Sequence, residues 1–479
     1  MIVKFIINLM LTMIVFATYG LTSESNTIGK YSIGFEEIHQ MGIKGKGQTV
    51  ILLEPNFTFE SNHPAFKRIE VQCIDVGRHP KCPEGFKDLS TFRYHQGFKP
   101  FGLDFMNDQD HCQKVLSVLV GIPCNNYNYG GGIVPEAKPI LVSCSHASIT
   151  GNRSGWVNSI IRCASSAVYT FAELNEFLLH EDHPEMLEQA LTLYPEKNLL
   201  AQKIDDSIFD AFKIIFDSPG RVINASFDIQ TPIDYLDTYK LTSHFLDFIA
   251  EGLERTDKIL IFCAKNESAD ISSSIFFNDI YNPSLEENIN LEYREKIIYE
   301  NNYIRGRRSI GFQQYANHPV LKSRVRIVTN LMLAKSSGNR HFSRTNVSFK
   351  NGNSFDVELS PTSNYPGDDK CLQAITLTAF GSNLMVAASG GKFITESGTS
   401  LSAPTVVGLI TLMDEHYNKQ GCDYSGLDLL NILDSSCLLP APGHAMYYGN
   451  GIIDPLSALG IQEYKGSEKG VEEDNCIIF

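Results

Sequence analysis

The chain has 479 residues, of which 43% are hydrophobic and 20% are charged, and its formal net charge is −15. The composition is ordinary for a globular protein, and the negative charge argues against a general nucleic-acid-binding surface. The length allows two or three domains, but it is equally compatible with one large α/β domain that carries insertions.

Residues 1–20 have the pattern of a secretory signal peptide. Lys4 gives a weakly positive start, an apolar run covers residues 5–16, and small residues at Val15 and Ala17 offer a cleavage point. The run is shorter than the roughly 20 residues of a comfortable membrane span. We therefore expect a secreted or extracytoplasmic protein, with an uncleaved anchor or a buried helix as the alternatives.

Short apolar runs alternate with amphipathic stretches through the first half of the chain. The alternation predicts a three-layer α/β fold, in which a mostly parallel sheet has helices on both faces. The predicted strands are 49–53, 140–142, 222–225 and 259–263, and the predicted helices include 114–120 and 206–216. In such sheets the active site lies at the carboxyl ends of the strands, which places the residues after Leu53 and Cys263 there.

Two segments look like additions to this core. Residues 171–203 are acidic with a helical pattern, and residues 268–360 are polar and rich in Asn, Ser and Arg. Both are expected at the surface, where long loops are often functional. Residues 461–479 form an acidic tail that we expect to be flexible.

The 11 cysteines leave the disulfide pattern open. Export permits disulfides, and Cys73 with Cys82, or Cys422 with Cys437, are candidate pairs in loop-like surroundings. Cys263 lies in an apolar run and is expected to be a buried thiol. The sequence has no C-x-x-C pair, which argues against a structural zinc site.

The strongest motif is the G-T-S-L-S-A-P string at residues 398–404, which an apolar run follows at 406–410. It places Ser400 among small residues at the start of an apolar helix, whose amino terminus stabilises negative charge on the serine oxygen and on an adjacent oxyanion. A G-T-S stretch alone is a common helix cap. The full string, however, resembles the G-T-S-M-A-x-P motif of the subtilisin-like serine proteases.

Other segments resemble motifs of the same family, in the family's order. They are 45–54 (first strand), 110–115 (H-G-T-H-V-A), 132–137 (G-V-A-P-x-A), 222–226 (V-I-N-M-S), 259–266 (the strand before the oxyanion asparagine) and 448–454 (Y-G-x-G-x-V-D/N). The resemblance runs from about residue 34 to residue 460. It implies one subtilisin-like peptidase domain, 34–460, which the segments near 171–203 and 268–360 interrupt.

The resemblance implies the roles of a catalytic site. Ser400 would be the nucleophile, His111 the general base, and Glu54 the residue that orients the histidine. Asn266 would hold the oxyanion together with the backbone N–H of Ser400. The substrate would bind along Ser226, Phe227 and Asp228.

Glu54 is the departure from the family that matters most, because the family has aspartate there. The extra methylene displaces the carboxylate by about 1 Å unless it folds back. Other hydrolases use glutamate in this role, whereas a mispositioned histidine costs up to about 10⁴ in rate. The alternatives are that Glu54 merely ends a strand and that Asp108 or Asp110 orients His111.

Further departures surround the expected site. Residues 112–114 read C-Q-K where the family has G-T-H, and Lys265 replaces the glycine before the oxyanion asparagine. Asp228 replaces a glycine that lines the specificity pocket. It would favour a basic or polar substrate side chain, unless it points to solvent.

Residues 476–479 read C-I-I-F, which fits a prenylation signal with Cys476 as the acceptor and geranylgeranyl as the lipid. The acidic residues 472–474 oppose binding to anionic lipid. Prenylation takes place in eukaryotic cytosol, so an exported bacterial protein that is delivered into a host cell, and anchored to its membranes, would reconcile this signal with export. The alternative is a chance match.

Two functions follow from these patterns. The first is a serine endopeptidase with protein or peptide substrates, which the joint presence of Ser400, His111 and Asn266 favours. The second is a catalytically weak or inactive homologue that binds peptides or a partner, which the altered histidine motif and the change to Glu54 favour. We expect no cofactor and no nucleic acid; calcium is common in the family, but the sequence shows no recognisable ligand set.

Overall fold

The structure is a computed structural model, and it describes residues 33–54, 60–75, 110–143, 209–227, 230–232, 238–266, 268–271, 307–309, 312–334, 343–440 and 443–461. The predictions that fall on residues 1–20, on 171–203, on the tail from 462 with Cys476, and on Cys82, Asp108 and Asp228 lie outside the described residues.

The described residues form thirteen strands. They are β1 Thr49–Glu54, β2 Gln72–Asp75, β3 Lys138–Ser143, β4 Val222–Ala225, β5 Gln230–Pro232, β6 Ile259–Cys263, β7 Arg307–Ser309, β8 Val325–Leu333, β9 Thr345–Ser348, β10 Ser354–Leu359, β11 Thr376–Phe380, β12 Leu384–Ala388 and β13 Lys392–Glu396.

Two helices matter most for the site: the histidine helix, His111–Val120, and the serine helix, Thr399–Lys419. The remaining helices are Phe35–Gln40, 209–217, Thr238–Arg255, Phe312–Asn317, Leu321–Arg324, Lys370–Ile375, Gly426–Ser436, Ala445–Tyr448 and Pro455–Ala458, with a 3₁₀ turn at Asn125–Tyr127. No helix of the described residues is both long enough and apolar enough to span a membrane.

Nine strands form the central sheet, in the order β2-β3-β1-β4-β6-β8-β10-β9, with β11 paired to β8 as well. Six strands of this sheet run parallel to one another, namely β2, β3, β1, β4, β6 and β8, and β11 runs parallel to β8. By contrast, β10 is antiparallel to β8, and β9 is antiparallel to β10. Two antiparallel ribbons, β12–β13 and β5–β7, lie outside the sheet. Because β1, β4, β6 and β8 run in one direction, their carboxyl ends meet at a single edge.

Helices cover both faces of the sheet. Successive side chains of a strand point to opposite faces, and both sets are apolar, so both faces have to be buried. In β1, Val50 and Leu52 pack into a core shared with the histidine and serine helices, whereas Ile51 and Leu53 pack against helices 209–217 and Thr238–Arg255. The strand is apolar throughout because both of its faces are buried. The predicted three-layer α/β fold is confirmed.

The serine helix runs through the core, and its side chains are buried on all sides almost to its last turn. This burial explains why its sequence has no polar stripe. Near its carboxyl end, Glu415 accepts hydrogen bonds from the backbone N–H groups of Lys44 (2.8 Å), Gly45 (2.5 Å) and Lys46 (3.1 Å). The carboxyl end of the helix is therefore tied to the segment that precedes β1.

Several element boundaries differ from the sequence prediction. The predicted strands 222–225 and 259–263 match β4 and β6, while β1 extends to Glu54 and the histidine helix begins three residues earlier than predicted, at His111. Part of the segment set aside as an insertion, 268–360, contributes β8, β9 and β10 to the central sheet.

The cysteine predictions have different outcomes. Cys437 is a free thiol whose Sγ donates to the carbonyl of Leu433 at 3.3 Å, so the candidate disulfide with Cys422 is wrong. The reason is local, since the Cys437 side chain turns back onto the helix that ends beside it. Cys263 is buried, as predicted.

Candidate active site

The candidate site lies at the carboxyl edge of the parallel strands. Glu54 is the last residue of β1, Ser226 follows β4 directly, and Asn266 comes three residues after β6. The register pairs Leu53 with Ala225, so Glu54 and Ser226 follow on neighbouring strands, about 5 Å apart at the backbone. Since β6 lies on the other side of β4, all three residues reach the same edge.

Glu54 contacts His111 directly. Its Oε2 lies 3.1 Å from Nδ1 of His111, and the glutamate side chain is 1% exposed whereas the histidine side chain is 24% exposed. A carboxylate at this distance favours the tautomer that carries its proton on Nδ1, which leaves Nε2 able to accept a proton. The extra methylene of glutamate therefore does not prevent the contact.

Asp110, the described alternative to Glu54, is engaged elsewhere. Its Oδ2 accepts a hydrogen bond from the backbone N–H of Ser389 at 2.7 Å, and its Oδ1 lies 3.2 Å from Nζ of Lys114. These contacts tie the start of the histidine helix to the ribbon β12–β13.

Ser400 is the second residue of the serine helix. Its carbonyl accepts a hydrogen bond of 2.9 Å from Oγ of Ser226, and Ser226 Oγ in turn accepts one of 2.9 Å from Nδ2 of Asn224. The amino terminus of a helix carries a partial positive charge, which stabilises negative charge that develops beside the first turn. Ser226 thus joins the end of β4 to the first turn of the serine helix.

Asn266 is held by the residue before Ser400. Its Oδ1 accepts hydrogen bonds from the backbone N–H of Thr399 at 3.0 Å and from the Thr399 hydroxyl at 3.2 Å. Because the backbone N–H can only donate, the amide oxygen must face Thr399. The amide nitrogen is consequently turned to the other side, where it can act as a donor.

Gly398 keeps the space between Asn266 and Ser400 open. A Cβ on residue 398 would lie 3.3 Å from Ser400 Oγ and 3.6 Å from Asn266 Nδ2. The backbone of Gly398 is extended, with φ at 174°, so the glycine provides room there rather than an unusual conformation. The Ser400 hydroxyl and the Asn266 amide nitrogen therefore both border the space that a side chain at position 398 would occupy.

Lys265 has the backbone conformation of a glycine. Its φ is +73°, in the left-handed region, which costs a side-chain-bearing residue about 1–2 kcal/mol. Its ammonium lies 5.8 Å from the centre of the Phe312 ring, a cation–π arrangement. The left-handed backbone at position 265 explains why the resembling pattern has glycine there. The lysine side chain is accommodated by its contact with Phe312.

Cys112, which follows His111, is buried and chemically quiet. Burial raises the pKa of its thiol well above the usual range, and the neighbouring Glu54 carboxylate raises it further. The thiol therefore stays protonated and is a poor nucleophile.

Phe227, at the predicted substrate-binding end of β4, packs its half-buried ring against the core on the face of helix Thr238–Arg255. No group of three or more His, Cys, Asp or Glu side chains among the described residues is arranged to hold a metal ion.

Sequence reasoning assigned no role to Thr399 or to the ribbon β12–β13. Thr399 stands inside the motif at 398–404, so the motif marks its segment as functional. Its contact with Asn266, however, joins residues 133 positions apart. Such a contact leaves no periodicity in the chain.

No protein-family model matches the chain, and no curated protein matches it. Similar solved structures include the prenylagaramide maturation protease PagA, at 13% identity and a TM-score of 0.46, covering 89% of this chain and 98% of that one.

The epidermin leader peptide processing serine protease EpiP from Staphylococcus aureus is 14% identical with a TM-score of 0.47, covering 88% of this chain and 77% of that one. MycP1 from the ESX-1 type VII secretion system is 14% identical with a TM-score of 0.48, covering 92% of this chain and 88% of that one. Likenesses this weak carry no conclusion about what the chain does.

Proposed function

We propose that the chain is a serine endopeptidase of the subtilisin-like kind, which hydrolyses peptide bonds through an acyl-enzyme on Ser400. The observation that supports it most is the 3.1 Å contact between Glu54 and His111, at the sheet edge that Ser226 ties to Ser400. A carboxylate–imidazole pair and a serine at a helix amino terminus, both at this edge of the sheet, are the groups that nucleophilic acyl transfer requires.

The mechanism follows from these positions. Ser400 Oγ attacks the scissile carbonyl, and its proton passes to Nε2 of His111. Glu54 stabilises the imidazolium and keeps Nδ1 protonated. The C–N bond then breaks as His111 returns the proton to the leaving amine. Water next attacks the acyl carbonyl and gives its proton to His111, and the bond to Ser400 Oγ breaks as His111 passes that proton to the serine.

The oxyanion would bind in the space beside Gly398. Asn266 Nδ2 and the backbone N–H of Ser400 would donate to it, and the serine helix adds its positive end. Thr399 presets the amide, so no reorganisation is needed when charge develops. Loss of the Asn266 donor would cost roughly 10²–10³ in rate.

The substrate would lie extended along the end of β4, at Ser226 and Phe227. An aspartate at position 228 would favour a basic or polar side chain in the specificity pocket. With the signal-like residues 1–20, we assign the activity to a secreted or extracytoplasmic protein. Attachment of a lipid to Cys476 would be a separate property of the tail.

The competing function is peptide binding without catalysis, and the strained Lys265 backbone at a glycine position favours it. A fluorophosphonate probe separates the two, because it reacts only with an activated serine. We expect labelling of the wild-type chain at Ser400 and none in Ser400→Ala. The matched control is Ser397→Ala, which removes a nearby hydroxyl outside the catalytic set and should label normally. Unlabelled, folded wild-type protein would contradict the peptidase proposal.

A further inference from the structure

The ribbon β12–β13 lies against the histidine helix and leads into the serine helix. Its last residue, Glu396, precedes Ser400 by four positions. Three polar contacts bind the ribbon to the histidine helix: Ala387 N–H to Ser117 Oγ at 3.1 Å, Ser389 N–H to Asp110 Oδ2 at 2.7 Å, and Lys114 Nζ to Glu396 Oε2 at 3.4 Å. The ribbon thus connects the two segments that carry the base and the nucleophile.

Lys114 is the centre of these contacts. Its ammonium lies 3.2 Å from Oδ1 of Asp110 and 3.4 Å from Oε2 of Glu396, so one cation bridges two carboxylates. The side chains of Lys114 and Asp110 are only 11% and 14% exposed. Solvent therefore screens the pair of Lys114 and Asp110 less than a surface pair, whose contribution is often negligible, while the Glu396 side chain at the other end of the bridge is 41% exposed.

The position of the bridge gives it a consequence for catalysis. Asp110 directly precedes His111, and Glu396 stands at the end of β13, just before Gly398 and Ser400. Displacement of reacting groups by about 1 Å can cost on the order of 10²-fold in rate. The histidine motif that residues 110–115 resemble has histidine where this chain has Lys114, so the resemblance does not supply the bridge.

We propose that Lys114 is a positioning residue, whose ammonium holds the start of the histidine helix against the strand that enters the serine helix. This inference rests on the proposed peptidase function. Lys114 does not touch the reacting atoms; it acts through Asp110 and Glu396 on the distance between His111 and Ser400. Its loss should therefore slow the chemical step rather than weaken substrate binding.

The experiment measures kcat and KM separately for Lys114→Met, Glu396→Gln and the double variant, on a cleavable peptide. Lys114→Met keeps the long side chain but removes the charge, and we expect kcat to fall about 10²-fold with KM unchanged within about two-fold. Glu396→Gln should lower kcat by a smaller factor. Since both act through one bridge, the double variant should be no slower than Lys114→Met alone. Lys392→Met, an exposed lysine side chain on the same ribbon, is the control and should keep wild-type kcat.

An unchanged kcat in folded Lys114→Met, or a change confined to KM, would overturn the proposal. If Lys114→Met does not fold, the half-exposed Glu396 supplies the test through Glu396→Gln and Glu396→Ala, and an unchanged kcat in both overturns it as well. The fluorophosphonate reaction of the wild-type chain is measured first. If the chain does not react, the peptidase function is rejected and the positioning role with it. If it reacts normally but Lys114→Met has an unchanged kcat, only the role of the bridge is rejected.

Discussion

The amino and carboxyl edges of the parallel strands both collect polar side chains, but they arrange them differently. At the amino edge, Arg221 precedes β4 and lies 2.5 Å from Asp414 and 3.3 Å from Asp257. Arg326, near the start of β8, binds both oxygens of Asp434, at 3.0 and 2.5 Å. Each of these cations has a carboxylate partner in a fixed geometry.

At the carboxyl edge the described polar side chains do not form ion pairs of the kind made by Arg221 and Arg326. Glu54 holds one nitrogen of His111, Thr399 holds one side of Asn266, and in each case the opposite side of the ring or amide faces away from that partner. The same strands thus begin in ion pairs that stabilise the fold and end at the proposed catalytic residues. Substitutions at the two edges should therefore separate stability from activity.

The largest effect expected is that of Glu54→Gln at the carboxyl edge. The amide no longer dictates the histidine tautomer, so kcat/KM should fall by about 10⁴, or about 5.5 kcal/mol of transition-state stabilisation. The free energy of unfolding should change by no more than about 1 kcal/mol, because the side chain keeps its volume and a hydrogen bond. Steady-state kinetics and urea unfolding measure the two quantities.

Glu415→Gln is the matched control, since Glu415 is also a buried glutamate, 2% exposed, but binds the backbone at 44–46 and Nζ of Lys419. It should lose stability and keep its activity. An equal loss of activity in Glu54→Gln and Glu415→Gln would contradict the separation of activity from stability.

A second prediction concerns the amino edge. Arg326→Met leaves the Asp434 carboxylate without its bidentate partner, so the free energy of unfolding should fall by about 3 kcal/mol, while kcat/KM of the folded protein stays within about two-fold. Arg344→Met is the control: it removes an ion pair of 2.8 Å with Asp356, whose side chain is 51% exposed, and should cost less than about 1 kcal/mol. A loss of activity in Arg326→Met without a loss of stability would refute the assignment of this edge.

A smaller effect, dependent on pH, is expected from His63, a structural group on the carboxyl side of the sheet. Its Nδ1 accepts from the N–H of Ala65 at 3.1 Å and its Nε2 lies 2.8 Å from the carbonyl of Lys392, so both nitrogens are satisfied only by the neutral ring. Burial lowers its pKa from the model-peptide value of 6.5. The unfolded chain therefore takes up the proton first, and stability is lost as the pH falls below about 6.5, by up to about 1.4 kcal/mol per pH unit.

His63→Asn removes this titration while an amide can still bond to Ala65. We expect the variant to be less stable than the wild type at pH 8, with a gap in unfolding free energy that narrows at pH 5.5. Urea unfolding at the two pH values measures the gap, and other titrating groups cancel in the difference. An equal gap at both values would contradict the neutral, buried histidine.

The local patterns predicted what local physics decides. The runs at β4 and β6 are apolar because both faces of the sheet are covered, and the predicted bounds of these strands are those observed. The catalytic roles came from the resemblance around Ser400 and His111, and they stay predictions, although the structure brings Glu54 to His111. The bridge from Lys114 to Glu396 spans 282 residues and depends on the ribbon's docking, which no propensity or period encodes.

The burial of the serine helix limits how this site can be switched. Opening free energies within a protein approach the global value in its packed core, and they are lowest in exposed segments. Ser400 stands on the first turn of a helix that is buried along almost its whole length, so it keeps its place as long as the domain stays folded. Regulation that loosens the proposed site without unfolding the domain would therefore act through the partly exposed His111, Asp110 and β12–β13, and it would separate Ser400 from its proposed base.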